Sequence, residues 1–332
     1  MIIDRRTSIR ALFGGLAAAV PCLAGSQPAE RMVRVGILRP TAAPSSPTDQ
    51  MAAGIPMALR ELGYVEGRNL IVEQRWAGGD LERLPALARE LLQARVDVIV
   101  AVGAQATRAV SQASATVPVV MYGNLDPVAL GLVSSLARPG GNVTGVLIAP
   151  GGTLAAKRLE LLKLAVPRAT RLAFLAPASD PAIRAQVQET LTAAASLGIE
   201  LLVTEVRDGD YAHAFAAIAA QRPGGLLVGA HTSFLRDRFQ IIDLAARHRL
   251  PAMYEWREHV EDGGLMAYGT SLNGLYRRLA SYVDRILKGA RPGDMPLEQP
   301  TKFELVINQK TAKALGIEIP QGVLLRVDEV IQ

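Results

Sequence analysis

Two short segments carry the residue types best suited to holding a ligand, Gly103-Ala104-Gln105 and Gly229-Ala230-His231-Thr232-Ser233. Each closes an apolar run and precedes a helical pattern, so each is expected at the end of a buried strand, opening a helix. The first turn of a helix carries unpaired N–H groups and a partial positive charge, which together hold a carboxylate. Small residues let a ligand approach that backbone, and Thr232 and Ser233 add hydroxyl donors. Ordinary βα turns also need Gly and a helix cap. The recurrence of the turn in both halves of the chain is what favours a shared cleft.

Further candidates cluster near the same strand ends. Asp126 and Asp180 each precede a Pro, where a carboxylate can hold an ammonium or hydroxyl group or serve as a routine turn residue. Tyr122, Tyr254 and Glu255 follow two strands opened by Pro, and Tyr268 ends a later strand. A Tyr offers an apolar wall with a polar tip. Arg39, just after the first strand, and Asn124, in the polar loop after Tyr122, complete the ligand-binding set. Trp76 and Trp256 read equally well as packing residues.

Catalytic signatures are absent. No G-x-G-x-x-G follows the first strand, where Gly36 stands alone, and no G-x-x-x-x-G-K-[ST] occurs. Gly269-Thr270-Ser271-Leu272-Asn273 lacks the closing Gly of a nucleophile elbow. The four histidines show no metal-ligand spacing, and His213, His248 and His259 read as solvated helix residues. No catalytic residue, metal or cofactor is expected, and the chemistry is capture rather than conversion.

Such turns need a scaffold of alternating strands and helices. Apolar strands are expected over 33–38, 70–74, 96–102, 117–121 and 143–148, then over 171–175, 199–206, 226–229, 252–254, 265–268 and 303–307. Helical patterns fill the spaces, including one that follows the polar loop 123–127 and runs to Leu136 and one from Phe234 to His248. This alternation means βαβ units and parallel sheets. Two α/β lobes follow, one of residues 31–145 plus about 269–295, the other of 146–268 plus about 300–332. The returning tail makes several crossovers, which form a hinge with Thr144, Gly145 and Tyr268 near it.

A length of 332 residues, 49% of them hydrophobic, suits two such lobes, and 20% charged residues argue against disorder. Residues 1–26 read as a cleavable export signal: Arg5, Arg6 and Arg10, an apolar stretch from Ala11 to Val20, then small residues, with cleavage near Ala24 or Ser26. A spanning helix needs about 20 apolar residues, and Gly, Pro or charge interrupts every later run. Cys22 is the single cysteine, so no intramolecular disulfide can form, and Pro21 before it disfavours lipid attachment. The net charge of +5 is spread along solvated faces, with no basic tail or nucleic-acid module, so nucleic acid is not an expected partner.

Several stretches resemble a known family. They are LGYVEGRNLIVEQRWAGGD from Leu62, LPALARELLQARVDVIVAVG from Leu84, SLARPGGNVTGV ending at Val146, KRLELLK from Lys157 and GGLMAYG from Gly263. With them stand YRRLASYVDRILKGARPGDMPLEQPTKFELVINQKTAKALG from Tyr276 and DEVI from Asp328. All look like the ABC transporter substrate-binding proteins, and together they span essentially the whole chain after the export signal. The resemblance implies a type 1 periplasmic-binding fold: two Rossmann-like lobes with parallel sheets, joined by a multi-crossover hinge. It implies a monomeric periplasmic solute-binding subunit, served by an ABC permease and its ATPase at the inner membrane. The ligand would be an amino acid or a small carboxylate or aromatic acid, since some relatives resemble binders of aromatic amino acids. His231 occupies a position without a fixed residue type in the family, which leaves ligand identity open.

Three rivals share the lobes. A sugar-responsive transcription regulator would need an N-terminal helix-turn-helix where this chain has its export signal. A periplasmic enzyme would need a reactive constellation. A sensing protein feeding a membrane signalling receptor would look the same in sequence.

Overall fold

A computed structural model describes residues 31–44, 49–149, 154–178, 183–207 and 209–332. The expected export segment, Cys22 and Asp180 lie outside these residues.

The first sheet holds β1 (Val33–Arg39), β2 (Leu70–Trp76), β3 (Val98–Val102), β4 (Val119–Gly123) and β5 (Val143–Leu147), all parallel, in the order β2-β1-β3-β4-β5. Helices α1 (Gln50–Glu61), α2 (Leu84–Gln93) and α3 (Gly103–Ala113) connect its strands. β3 reads VIVAV and is buried at every position, as a parallel strand covered on both faces must be.

The chain then builds α4 (Ala155–Ala165), β6 (Arg171–Pro177), α5 (Ile183–Ser196), β7 (Glu200–Val206), α6 (Tyr211–Ala220) and β8 (Leu226–Val228). There follow α7 (Thr232–Arg236), α8 (Arg238–Arg247), β9 (Ala252–Tyr254), α9 (Arg257–Glu261) and β10 (Met266–Gly269). After α10 (Leu272–Leu287) come β11 (Glu304–Asn308), α11 (Gln309–Leu315), α12 (Gln321–Leu324) and β12 (Glu329–Ile331). The second sheet runs β12-β11-β10-β9-β8-β6-β7 and is parallel except where β11 meets β10.

The chain passes between the sheets after β5, after β10 and again before β11. The middle passage delivers α10 to the first lobe. Leu272, Leu275, Tyr276, Leu279, Val283 and Ile286 recur at helical spacing and are buried with Met51, Ile55 and Leu59 of α1. Leu279 is wholly buried there, and its replacement by Ala would cost about 2–5 kcal/mol.

Three local expectations are corrected. Residues 127–136 form turns rather than a helix. Asp126 Oδ1 accepts from the Val128 and Ala129 N–H groups, and Gly131 at φ +67° turns the chain away from helical geometry. The helix expected from Phe234 to His248 is divided at Asp237, whose carboxylate is held by Tyr211 and Arg236. His259 is not solvated: it is buried and stacks on Tyr254 at 4.6 Å between ring centroids. Among the described residues, no helix is long and apolar enough to cross a membrane.

Candidate ligand-binding site

The site forms where strand ends of the two lobes face each other. In the first lobe β3 turns directly into α3 through Gly103, whose φ of +78° is one that L side chains rarely adopt. The neighbouring turn after β4 needs Gly123 for a different reason. A Cβ there would lie 2.7 Å from Leu125 Cδ2 and 3.2 Å from Gly103 Cα, so the two turns are in contact. The α3 N-cap position is Val102, which supplies no side-chain hydrogen bond to the first turn.

The second-lobe turn is built differently. Gly229 has no positive φ, and it is small because a Cβ would meet the Leu175 carbonyl oxygen at 2.9 Å. The helix begins only at Thr232, with His231 Nδ1 accepting from the Ser233 N–H at 3.2 Å. Gln186, buried on α5, clamps the turn: its Nε2 donates to the Ala230 carbonyl and its Oε1 accepts from the Ala230 N–H, both at 2.8 Å. The two turns are thus analogous in place but not in hydrogen bonding.

Between them lies a pocket of about 80 Å³. Of the expected residues, Gly103, Ala104, Gln105, Tyr122, Asn124, His231, Thr232 and Glu255 line it. A wider cleft of about 910 Å³ adjoins it through the shared walls Pro40, Gln105 and His231, and Ser233 lies in that cleft with Tyr211 and Arg236.

The pocket has one buried acid. Glu255 Oε1 accepts from Arg158 Nη2 at 3.2 Å and, across the cleft, from Asn124 Nδ2 at 3.0 Å. Burial pushes the Glu255 carboxyl up, opposed by the Arg158 guanidinium, the Asn124 amide and His231. The same burial pulls Arg158 down, opposed by Glu255 and Glu189. Arg158 also donates Nε to the Tyr268 carbonyl at 2.9 Å. Tyr122 is buried beneath, edge-on to Tyr276 at 6.4 Å, with its hydroxyl pushed up by desolvation.

Other expected residues stand outside the pocket. Arg39 is buried, bonds Gln74 Oε1 and the Met51 carbonyl, and lies over the Trp76 ring at 4.5 Å; it ties β1, β2 and α1 together. Tyr254 is turned into the second-lobe core because side chains alternate along β9. Tyr268 packs on Phe303, and its carbonyl accepts from Arg158 Nε. Asp126 is exposed and caps its own turn. Asp180 falls outside the described residues.

Sequence reasoning did not single out Gln186, Ile148 or Arg158 for the site, and it left Trp256 open between ligand contact and packing. Trp256, next to Glu255, was an available signal. Gln186 and Arg158 lie in the first turns of α5 and α4, where a polar residue reads as solvent-facing until the tertiary contacts are known. Among the described residues, no group of three or more His, Cys, Asp or Glu side chains could hold a metal ion.

Two parallel α/β lobes crossed repeatedly by one chain, with a pocket at facing strand ends, define the type 1 periplasmic-binding architecture. The family model described as ABC transporter substrate binding protein matches residues 34–331, and the chain belongs to that family. It is 24% identical over 270 residues to a tyrosine-binding protein of Clostridioides difficile (strain R20291), covering 81% of this chain and 77% of that one. The ABC domain from Streptococcus pneumonia in complex with L-Trp is 25% identical with a TM-score of 0.78, covering 90% of this chain and 100% of that one. A solute binding protein of an ABC transporter from Rhodopseudomonas palustris BisB5, in complex with 3,4-dihydroxy benzoic acid, shares the fold. Its TM-score is 0.56 at 13% identity, covering 79% of this chain and 83% of that one.

Proposed function

We propose that this chain is the periplasmic solute-binding subunit of an ABC importer, capturing an amino acid or a small carboxylate or aromatic acid by closure of its two lobes. The observation that carries this reading is the pocket itself, lined from both lobes and bridged by the Asn124–Glu255 hydrogen bond. A ligand shifts an open–closed equilibrium only by its differential affinity for the two states, so contacts from both sides are required. The uncapped first turn of α3 is suited to a ligand carboxylate, with Thr232 opposite. The relatives that bind tyrosine and L-Trp support the ligand range.

Residues 1–26 would direct export, leaving a mature chain that begins near Gly25 or Gln27. N-terminal sequencing of the envelope fraction tests that point, and an intact Met1 on a cytoplasmic protein would refute it. Capture is tested by a thermal-shift screen of amino acids and aromatic acids. Binding at a hundredfold excess over Kd stabilises by about 2.7 kcal/mol. A flat response across a broad small-molecule screen would refute capture.

A further inference from the structure

We infer that the pocket selects ligands bearing a protonated amine, with Glu255 and Asn124 as the specificity-determining pair and Arg158 as the residue that positions Glu255. The inference rests on the capture reading above and narrows its ligand class. Among the described residues lining the inner pocket, Glu255 is the only Asp, Glu, Lys or Arg, and it is 4% exposed. Arg158 braces it from behind, itself 1% exposed and anchored on the Tyr268 carbonyl. A guanidinium does not give up its charge in a protein, so Arg158 favours the ionised carboxylate against the burial that pushes it up.

Asn124 approaches from the other lobe. Its Nδ2 donates to Glu255 Oε1, and the reversed amide would set oxygen against a carboxylate, so its orientation is determined. That orientation leaves Asn124 Oδ1 buried with no hydrogen-bond partner among the described residues. Both of these bonds to the carboxylate fall on Glu255 Oε1, while Asn124 Oδ1 is the acceptor left without a donor. A buried acceptor without a donor is costly. An ammonium brings three donors and no acceptor, so it satisfies Asn124 Oδ1 while its charge faces the Glu255 carboxylate. A carboxylate head in the same place would meet a like charge. Aromatic acids without an amine are therefore poor ligands, and amino acids or amines are favoured.

The test is calorimetry with L-tyrosine, tyramine and 3-(4-hydroxyphenyl)propanoate, and with L-tryptophan, tryptamine and 3-indolepropanoate. An amine-bearing compound is expected to bind roughly ten- to a hundredfold more tightly than its desamino acid, the worth of one charged hydrogen bond. Asn124→Ala should reduce that preference to about threefold, through loss of the Oδ1 acceptor. The double variant Arg158→Met with Glu255→Gln strands no buried charge, so it should fold and also lose the preference. Desamino acids binding as well as their parents would overturn the inference and leave capture standing. So would a folded double variant that keeps the full preference. If none of the six compounds binds, this inference is refuted, and the broader screen decides capture separately.

Discussion

Arg238, at the start of α8, pairs across the lobes with Asp49, at the start of α1: Nη1 lies 3.1 Å from Oδ2, while Nε holds Asp262 at 2.7 Å. Asp49 performs two tasks, because its Oδ1 accepts from the Met51 N–H and caps α1. Both side chains are largely buried, at 12% and 13% exposure, so solvent screens the pair less than a surface bridge.

Asp49→Asn keeps an oxygen for the cap and removes the cross-lobe charge. The closed state should weaken by about 1 kcal/mol, with roughly fivefold faster ligand dissociation and a larger radius of gyration by small-angle scattering. An unchanged off-rate would show that the pair contributes nothing to closure.

Ala104 lines the pocket at the first turn of α3. Ala104→Leu should place a bulky side chain where a ligand approaches the turn. Affinity is expected to fall about ten- to a hundredfold, equivalent to one charged hydrogen bond. Calorimetry with the ligand found by screening reads this, and circular dichroism checks the fold. Parental affinity in the folded variant would place the ligand elsewhere.

Asp126→Ala should separate turn capping from binding. The carboxylate holds only the Val128 and Ala129 N–H groups and is exposed. Its loss should cost about 1 kcal/mol of stability, as other caps do, and leave affinity unchanged. Weakened binding without lost stability would return Asp126 to the site.

Glu258 and His259 are adjacent on α9 and respond to acid in opposite directions. Burial pulls His259 from 6.5 down to about 4, so its contribution is present above pH 6.5 and lost as pH falls towards 4. Burial pushes Glu258 from 4.5 up to about 7, so its contribution is present below pH 4.5 and lost as pH rises through 7. Each amounts to roughly 3 kcal/mol at full extent, and between pH 4.5 and 6.5 they offset one another. His259→Gln should therefore gain stability as pH falls from 7 to 4.5. Glu258→Gln should lose it from 6.5 to 4. Denaturant midpoints across that range read both slopes, and parallel slopes for the two variants would contradict the assignment.

The sequence by itself determined the periodic content of this protein. A short, Val- and Ile-rich apolar run such as Val98–Val102, bounded by Gly103, reads as a strand covered on both faces, and the Gly after β3 marks a turn with positive φ. Those signals are local, so the two-lobe α/β plan and most pocket-lining turn residues were legible. What only the tertiary structure decided depends on residues far apart in the chain. Glu255 meets Asn124 across 131 positions and Arg158 across 97, and no local pattern encodes such a meeting. Strand pleating turned Tyr254 into the core while its neighbour Glu255 reached the pocket. Asp126 and Asp180 looked alike in sequence, yet the N–H groups of its own turn claimed Asp126. Arg158, in the first turn of α4, becomes a buried partner only once the fold has surrounded it, because burial is a property of the packed whole.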